Sequence, residues 1–272
     1  MTVAIPELRK RFGRAAGSYQ LAANLQAEIA EWLLCLLPDD LRPDAAILDV
    51  GCGTGVLTRL VRERFPRARM TAIDCSEEMI RAAARQSGNV QEIRWIVGDM
   101  RDHVFDEQFD LIVSSSALHW MEPLKSLFQS LAKATRPGGL LVASMMTERT
   151  LLELHRLRRE LFPENVPARR LPSVAVALGA IETSGFALER HESVLMEQRY
   201  SSAHELLKKL NKLGVTGGSI SSGGRPLSRA QLKILSNEYE RRHSIANGVV
   251  ASYEALYFVA RRQDFVARRQ GD

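Results

Sequence analysis

Apolar residues along this chain gather into short runs separated by amphipathic stretches. Ala46-Ile-Leu-Asp-Val50, Met70-Thr-Ala-Ile-Asp74, Ile93-Arg-Trp-Ile-Val97, Phe109-Asp-Leu-Ile-Val-Ser114 and Leu140-Leu-Val-Ala-Ser-Met145 are rich in branched and aromatic side chains. Runs of that length predict buried strands. Between them, the stretch opening at Val56 and the segment from Pro123 to Thr135 carry helical spacing, and Arg136-Pro-Gly-Gly139 predicts a stop and turn before the fifth strand. Strands alternating with helices imply a parallel sheet covered on both faces.

The last third is patterned differently. Ser173 to Thr183 predicts a helix closing near Gly185, and Ala187 to Glu197 predicts a strand. Ser202 with Glu205 forms a capping-box pattern ahead of Leu206, Leu207, Leu210 and Leu213, a helical apolar face that ends at Gly214. A second pattern, Ser228 with Gln231, opens a helix carrying Leu232, Leu235 and Tyr239, and Tyr253 to Val259 predicts a final strand. These helices interrupt the sheet, so they are expected to cover its strand ends as a lid. Gly214 to Gly224, rich in Gly and Ser, predicts a flexible link, and no internal repeat is present.

Composition narrows the class. With 272 residues and 45% hydrophobic content, the chain fits one elaborated α/β domain. Cys35, Cys52 and Cys75 are odd in number and lack ligand spacing, which predicts neither a disulfide framework nor a metal site. The N-terminal stretch lacks the apolar run of a signal peptide, and Trp32-Leu-Leu-Cys-Leu-Leu37 is too short to span a bilayer. A reduced, cytoplasmic protein with no membrane role is expected. The net charge of +5 permits an acidic partner without requiring one.

The most informative segment is Asp49-Val-Gly-Cys-Gly-Thr-Gly55, lying between the first strand and a helix. Gly51, Gly53 and Gly55 lack the Cβ atoms that would hold a ligand off the backbone, and the helix beyond offers free N–H groups. The dinucleotide pattern G-x-G-x-x-G requires a glycine at Val56 or Thr58 in the two possible registers, so it does not fit. Asp74 ends the second strand, where an ionised carboxylate accepts both hydroxyl protons of a ribose. Gly98-Asp99-Met100 places another acid after the third strand. Asp99 has two readings there, an acceptor for the adenine amino group or a turn residue.

Taken together, the glycine loop, Asp74, Asp99, Ser114-Ser-Ser-Ala-Leu-His-Trp120 and Arg136-Pro-Gly-Gly139 resemble the class I S-adenosylmethionine-dependent methyltransferases over roughly residues 44 to 147. The outer segments Phe12-Gly-Arg-Ala-Ala-Gly-Ser-Tyr19, Leu25-Gln26, Leu210-Asn-Lys-Leu-Gly214 and Gly224-Arg-Pro-Leu-Ser228 are similar to the malonyl-acyl-carrier-protein O-methyltransferase family of biotin synthesis. That resemblance implies an α/β, Rossmann-like fold with a mostly parallel seven-stranded sheet, helices on both faces and a helical lid insertion. It divides one methyltransferase domain, 1–272, into an N-terminal helical cap (1–43), a cofactor-binding core (44–147), lid and substrate segments (148–172 and 201–242) and a C-terminal part of the sheet (173–200 and 243–272). It implies a cofactor set of Tyr19, Gln26, Asp49, Gly51, Cys52, Gly53, Gly55, Asp74, Cys75, Met79, Gly98, Asp99, Met100, Ser114 and Ser115. The acceptor it implies is the free carboxylate of malonyl-acyl-carrier protein or malonyl-CoA, methylated by a monomer that uses S-adenosylmethionine and no metal.

The chemistry is consistent with the absence of an evident catalytic dyad. A carboxylate with a pKa of around 4 is already ionised at neutral pH and needs no general base. Tyr19, His119 and Trp120 are the candidates around the methyl group, each with a structural alternative: an interfacial core tyrosine, a histidine with a local bond, a pocket wall. Arg199 and Arg225 are alternative cations for the acceptor carboxylate. Lys208, Lys209 and Lys212, with Arg156, Arg158 and Arg159, form basic clusters suited to an acidic carrier, or simply to solvent. A methyltransferase for a small free polycarboxylate shares these features, as does a non-catalytic S-adenosylmethionine-binding protein in the cofactor region. A nucleic-acid substrate is disfavoured, because Ser114-Ser-Ser-Ala117 stands where amino-methylating enzymes carry Asn/Asp-Pro-Pro-Tyr/Phe.

Overall fold

The computed structural model describes residues 24–88, 93–165, 171–212 and 227–263. Its first strand, β1 (Ala46–Val50), is buried at every position, and it pairs in parallel with β2 (Arg69–Asp74) on one side and β4 (Phe109–Ser115) on the other. β3 (Ile93–Val97) extends the sheet beyond β2, and β5 (Thr135–Met146) lies beyond β4, both parallel. β8 (Gly248–Arg262) then runs antiparallel to β5, with β6 (Phe186–Tyr200) antiparallel to β8 at the far edge. The order is therefore β3-β2-β1-β4-β5-β8-β6, with the two-residue β7 (Ser244–Ile245) paired to β8 as an eighth strand.

Alternation along the strands sends apolar residues to two cores, one on each face. On one face, Ile29 and Leu33 of α1 (Asn24–Leu34) and Leu57 and Val61 of α2 (Val56–Arg64) pack on Ile47, Leu111 and Val113. Ile80 of α3 (Glu77–Ser87) meets Ala72 on the same side. On the other face, Leu127, Phe128 and Leu131 of α4 (Leu124–Ala134) and Ala177 and Ile181 of α6 (Val174–Glu182) cover Leu48, Ile112, Leu141 and Phe258. Each such aliphatic or aromatic side chain contributes about 1.5–3 kcal/mol on burial, so the sheet's two-sided cover sets its position in the chain's folded order.

The β6–β8 pair is longer than the alternation implied. Pairing continues through Gln198↔Ala251 to Tyr200↔Val249, past the carboxyl end of β5 at Met146↔Ala255. Antiparallel backbone bonds hold polar residues such as Gln198 and Arg199 in β6 as readily as apolar ones, which is why hydropathy under-read its length. On that overhang sit α5 (Leu152–Leu161), α7 (Ala203–Lys212) and α8 (Arg229–His243), whose Leu154, Leu157, Leu206, Leu210, Leu235 and Tyr239 join Val249, Ala251 and Tyr253. These helices thus occupy the sheet end toward which β1, β2 and β4 point.

Three local expectations change. Arg136-Pro-Gly-Gly139 is not a turn between elements. It bulges out of β5, because Thr135 pairs with Phe109 and pairing resumes only at Leu140 with Leu111, while the Arg136 guanidinium donates to Gln108 O and Asp110 across the gap. Ser202 caps α7 by accepting from Glu205 N, but the Glu205 carboxylate reaches one residue further back, to Ser201 N and Oγ. The reciprocal box is complete only at Ser228 and Gln231. Leu232, in the first turn of α8, is 40% exposed, unlike Leu235 and Tyr239. Leu213 and the Gly214–Gly224 link lie outside the described residues.

Candidate active site

The carboxyl ends of β1, β2, β3 and β4 surround a cleft, the place where open α/β sheets bind their ligands. The loop after β1 forms its floor. Gly51, Gly53 and Gly55 all adopt positive φ, +69°, +54° and +80°, a region that penalises any Cβ. Their surroundings differ. A Cβ on Gly51 would fall 2.3 Å from Ala117 Cβ, and one on Gly55 would crowd Ala83 and Trp95, whereas one on Gly53 would meet nothing within 4 Å. Gly51 and Gly55 therefore let protein pack against protein, and only Gly53 leaves room facing the cleft. Gly51 and Gly53 both line the cleft.

Asp74 closes β2 with its carboxylate in the cleft wall, accepting from Gly53 N at 3.0 Å and from Ser76 N at 2.9 Å. Burial pushes its pKa up, and these two N–H donors oppose the shift. Ser76 in turn caps α3 by accepting from Met79 N, which brings Met79 to the cleft. Asp49, one residue before the end of β1, is buried and takes a 2.6 Å bond from Thr58 Oγ1. Burial raises its pKa to about 7, against the Thr58 bond and with a small push from Asp74.

Beyond β3, Gly98, Asp99 and Met100 line the cleft, Met100 fully buried beneath it. Asp99 is both a turn residue and a cleft residue: its Oδ1 accepts from Arg101 N at 2.9 Å, and the Arg101 guanidinium clasps both oxygens. The opposite wall comes from the segment after β4. Ser115 and Trp120 line it, together with Ser116, Ala117 and Met121. Ser114 does not: its hydroxyl turns back to Val50 O at 2.7 Å and ties β4 to β1. Cys52 likewise points away into the core beside Ala72, and burial raises its thiol pKa, while Cys75 reaches the cleft.

His119 sits beside the cleft rather than in its lining. It is buried, and its Nδ1 accepts from Met146 N at 3.2 Å. An accepting Nδ1 carries no proton, so the neutral ring holds its proton on Nε2. Arg199 is exposed on β6, away from the cleft lining. Lys208 and Arg156 are exposed; Lys209 pairs with Glu205 at 3.1 Å and lies over the Tyr200 ring. Arg158 and Arg159 are half-buried, and burial lowers the pKa of Arg158. Tyr19, Arg225 and the Lys212 side chain lie outside the described residues. Sequence reasoning missed Arg101, Ser116, Ala117 and Met121. A charge pair at Asp99 and Arg101 was readable, but the left-handed Ser116 (φ +53°) was not.

Residues 47–139 match the model of a methyltransferase domain. Over 260 residues the chain is 32% identical to the malonyl-[acyl-carrier protein] O-methyltransferase of Bacillus cytotoxicus, covering 92% of this chain and 89% of that protein. The chain belongs to the malonyl-[acyl-carrier protein] O-methyltransferase family. The Hahella chejuensis member is 32% identical over 91% of this chain and 87% of its own length. Among solved structures, the YcgJ protein of Bacillus subtilis superposes with a TM-score of 0.62 at 16% identity, over 87% of this chain and 99% of that one. The geranyl diphosphate C-methyltransferase of Streptomyces coelicolor, solved with S-adenosyl-L-homocysteine, superposes at 0.54 and 16% over 86% of this chain and 78% of that one. Both carry the same fold.

The cleft of this methyltransferase family member suits the cofactor of its class. Asp49 Oδ1, Ser115 Oγ, Ser116 Oγ and Gln26 Oε1 are shut off from solvent without a hydrogen-bond partner, a state that native interiors rarely tolerate. Of these residues Ser115 and Ser116 line the cleft, and with the open face of Gly53 and the Asp74 carboxylate they supply acceptors and donors for a ligand carrying an amino acid and a ribose. Among the described residues, no group of three or more His, Cys, Asp or Glu side chains is arranged to hold a metal, and no helix is long and apolar enough to cross a membrane.

Proposed function

We propose that this chain transfers a methyl group from S-adenosylmethionine to the free carboxylate of a malonyl thioester carried on acyl carrier protein, giving the methyl ester that enters biotin synthesis. The observation carrying this reading is the similarity, over about nine-tenths of the chain, to relatives of that name. The cleft supports it: among its described lining residues there is no His, Lys or Tyr to serve as a base, and an ionised carboxylate nucleophile needs none.

When bound, S-adenosylmethionine supplies a methyl group already activated by its sulfonium, with no metal required. Asp74 accepts the ribose hydroxyls, and Asp99 accepts the adenine amino group above Met100 with Met79 and Gly98 alongside. Gly51, Gly53 and Gly55 shape the floor, Cys52 and Ser114 brace it from behind, and Asp49, Cys75, Ser115 and Gln26 meet the amino-acid end. Trp120 walls the acceptor side. Tyr19 and a neutral His119 orient the acceptor, with Arg199 or Arg225 as its counter-charge. Lys208, Lys209 and Lys212, with Arg156, Arg158 and Arg159, guide an acidic carrier, acting on encounter more than on the chemical step. The segments 148–172 and 201–242 act as lid.

Initial rates with labelled cofactor test this directly. Malonyl-acyl-carrier protein should be the best acceptor, malonyl-CoA poorer, and free malonate poorer still. At saturating cofactor, single-turnover rates should stay flat across about pH 6–8, well above the carboxyl pKa. Free malonate performing equally well would move the assignment to a small polycarboxylate. Replacing Lys208, Lys209 and Lys212 by Ser should raise KM for the carrier substrate and flatten its salt dependence, with equal losses for malonyl-CoA counting against docking.

A further inference from the structure

Asp99 and Arg101 form the tightest charged pair in the cleft wall. Arg101 Nε donates to Asp99 Oδ1 at 2.9 Å and Nη2 to Oδ2 at 2.7 Å, a two-pronged arrangement that fixes a carboxylate in rotation as well as position. Both side chains are largely withdrawn from water, 14% and 9% exposed. The third arm points elsewhere. Nη1 donates to Glu122 O at 2.6 Å, and Arg101 O lies within reach of the Ser130 hydroxyl on α4.

Glu122 follows Trp120 and Met121, which face Asp99 and Met100 across the cleft. One guanidinium therefore joins the wall that follows β3 to the wall that follows β4. Apart from a single 3-10 turn at Leu118–Trp120, neither wall is regular structure at these positions, so side-chain bonds carry much of what keeps them apart at a set distance. The same contact raises the pKa of Arg101, the Asp99 hydrogen bond being the largest cause and burial opposing it.

We propose that Arg101 is a positioning residue for the cofactor's base, holding the Asp99 carboxylate in one orientation toward the cleft while setting the cleft's width through Glu122. A carboxylate acceptor held in place favours a base that presents an amino group and repels one that presents a carbonyl oxygen at the same position. Arg101 thus governs discrimination between adenine and hypoxanthine, in addition to affinity. This rests on the reading that Asp99 faces the base.

Calorimetric titration with S-adenosylhomocysteine and with S-inosylhomocysteine, whose base carries a carbonyl in place of the amino group, separates the cases. The unaltered protein should prefer the adenosyl ligand at least tenfold. Arg101→Met should weaken the adenosyl ligand about tenfold and the inosyl ligand much less, so the preference shrinks. Arg101→Lys keeps the charge without the fork and should fall between; it also serves if the Met variant does not fold, as judged by its melting transition. Equal weakening of both ligands in a folded variant, or no change, would overturn the proposal. Asp99→Asn tests the underlying reading separately: if the preference survives there, Asp99 does not meet the base, whatever Arg101 does.

Discussion

Asp49→Asn isolates the cost of holding a carboxylate beneath the glycine loop. The side chain is 1% exposed, one oxygen bonds Thr58 and the other has no partner. Its pKa moves from 3.8 to about 7, about three units, and at roughly 1.4 kcal/mol per unit the ionised native state is disfavoured by about 4 kcal/mol. Between these two values the native protein holds a proton that the unfolded chain has released, so native stability falls as pH rises. The contribution is fully present below the unfolded value and lost as pH passes about 7. Asparagine keeps the shape and the Thr58 bond but does not titrate. Urea unfolding of both proteins without cofactor should therefore show the variant gaining on the parent by about 2–3 kcal/mol between pH 5 and pH 8. The same variant should bind S-adenosylhomocysteine more weakly, since the orphan Asp49 oxygen is replaced by a donor. A stability difference that stays constant with pH would show that Asp49 titrates normally and that the desolvation argument is wrong.

Three further outcomes follow from the same geometry. Gly51→Ala should lower the unfolding free energy measured in urea by about 1–3 kcal/mol more than Gly53→Ala, because both incur the left-handed penalty but only the first drives a Cβ into Ala117; equal losses would mean backbone conformation alone decides. Asp74→Ala should weaken S-adenosylhomocysteine by roughly 1.5–3 kcal/mol in calorimetry, and an unchanged affinity in a folded variant would remove Asp74 from the ribose site. His119→Leu strands the buried Met146 N–H and should cost about 1–3 kcal/mol in thermal or urea unfolding. His119→Gln, which can still accept that bond, should recover most of the loss, and failure to do so would assign the loss to packing.

Much of this protein was legible before any coordinates. Branched apolar runs too short for helices and separated by helical spacing could bury both faces only as parallel strands, so β1 to β5 and their order along the chain followed from alternation. Asp74 and Asp99 were recognisable because an acid at a parallel strand's carboxyl end lies where ligands collect. Tertiary structure decided what depends on residues far apart in sequence. Gly51 leaves room for Ala117, sixty-odd positions away. Ser114 is spent on Val50 and His119 on Met146, while Ser116, alike in local pattern, reaches the cleft. Local sequence sets which backbone shapes are cheap. Which hydroxyl is consumed inside the protein and which is left for a ligand depends on the neighbour that packing brings, and that neighbour is not encoded nearby.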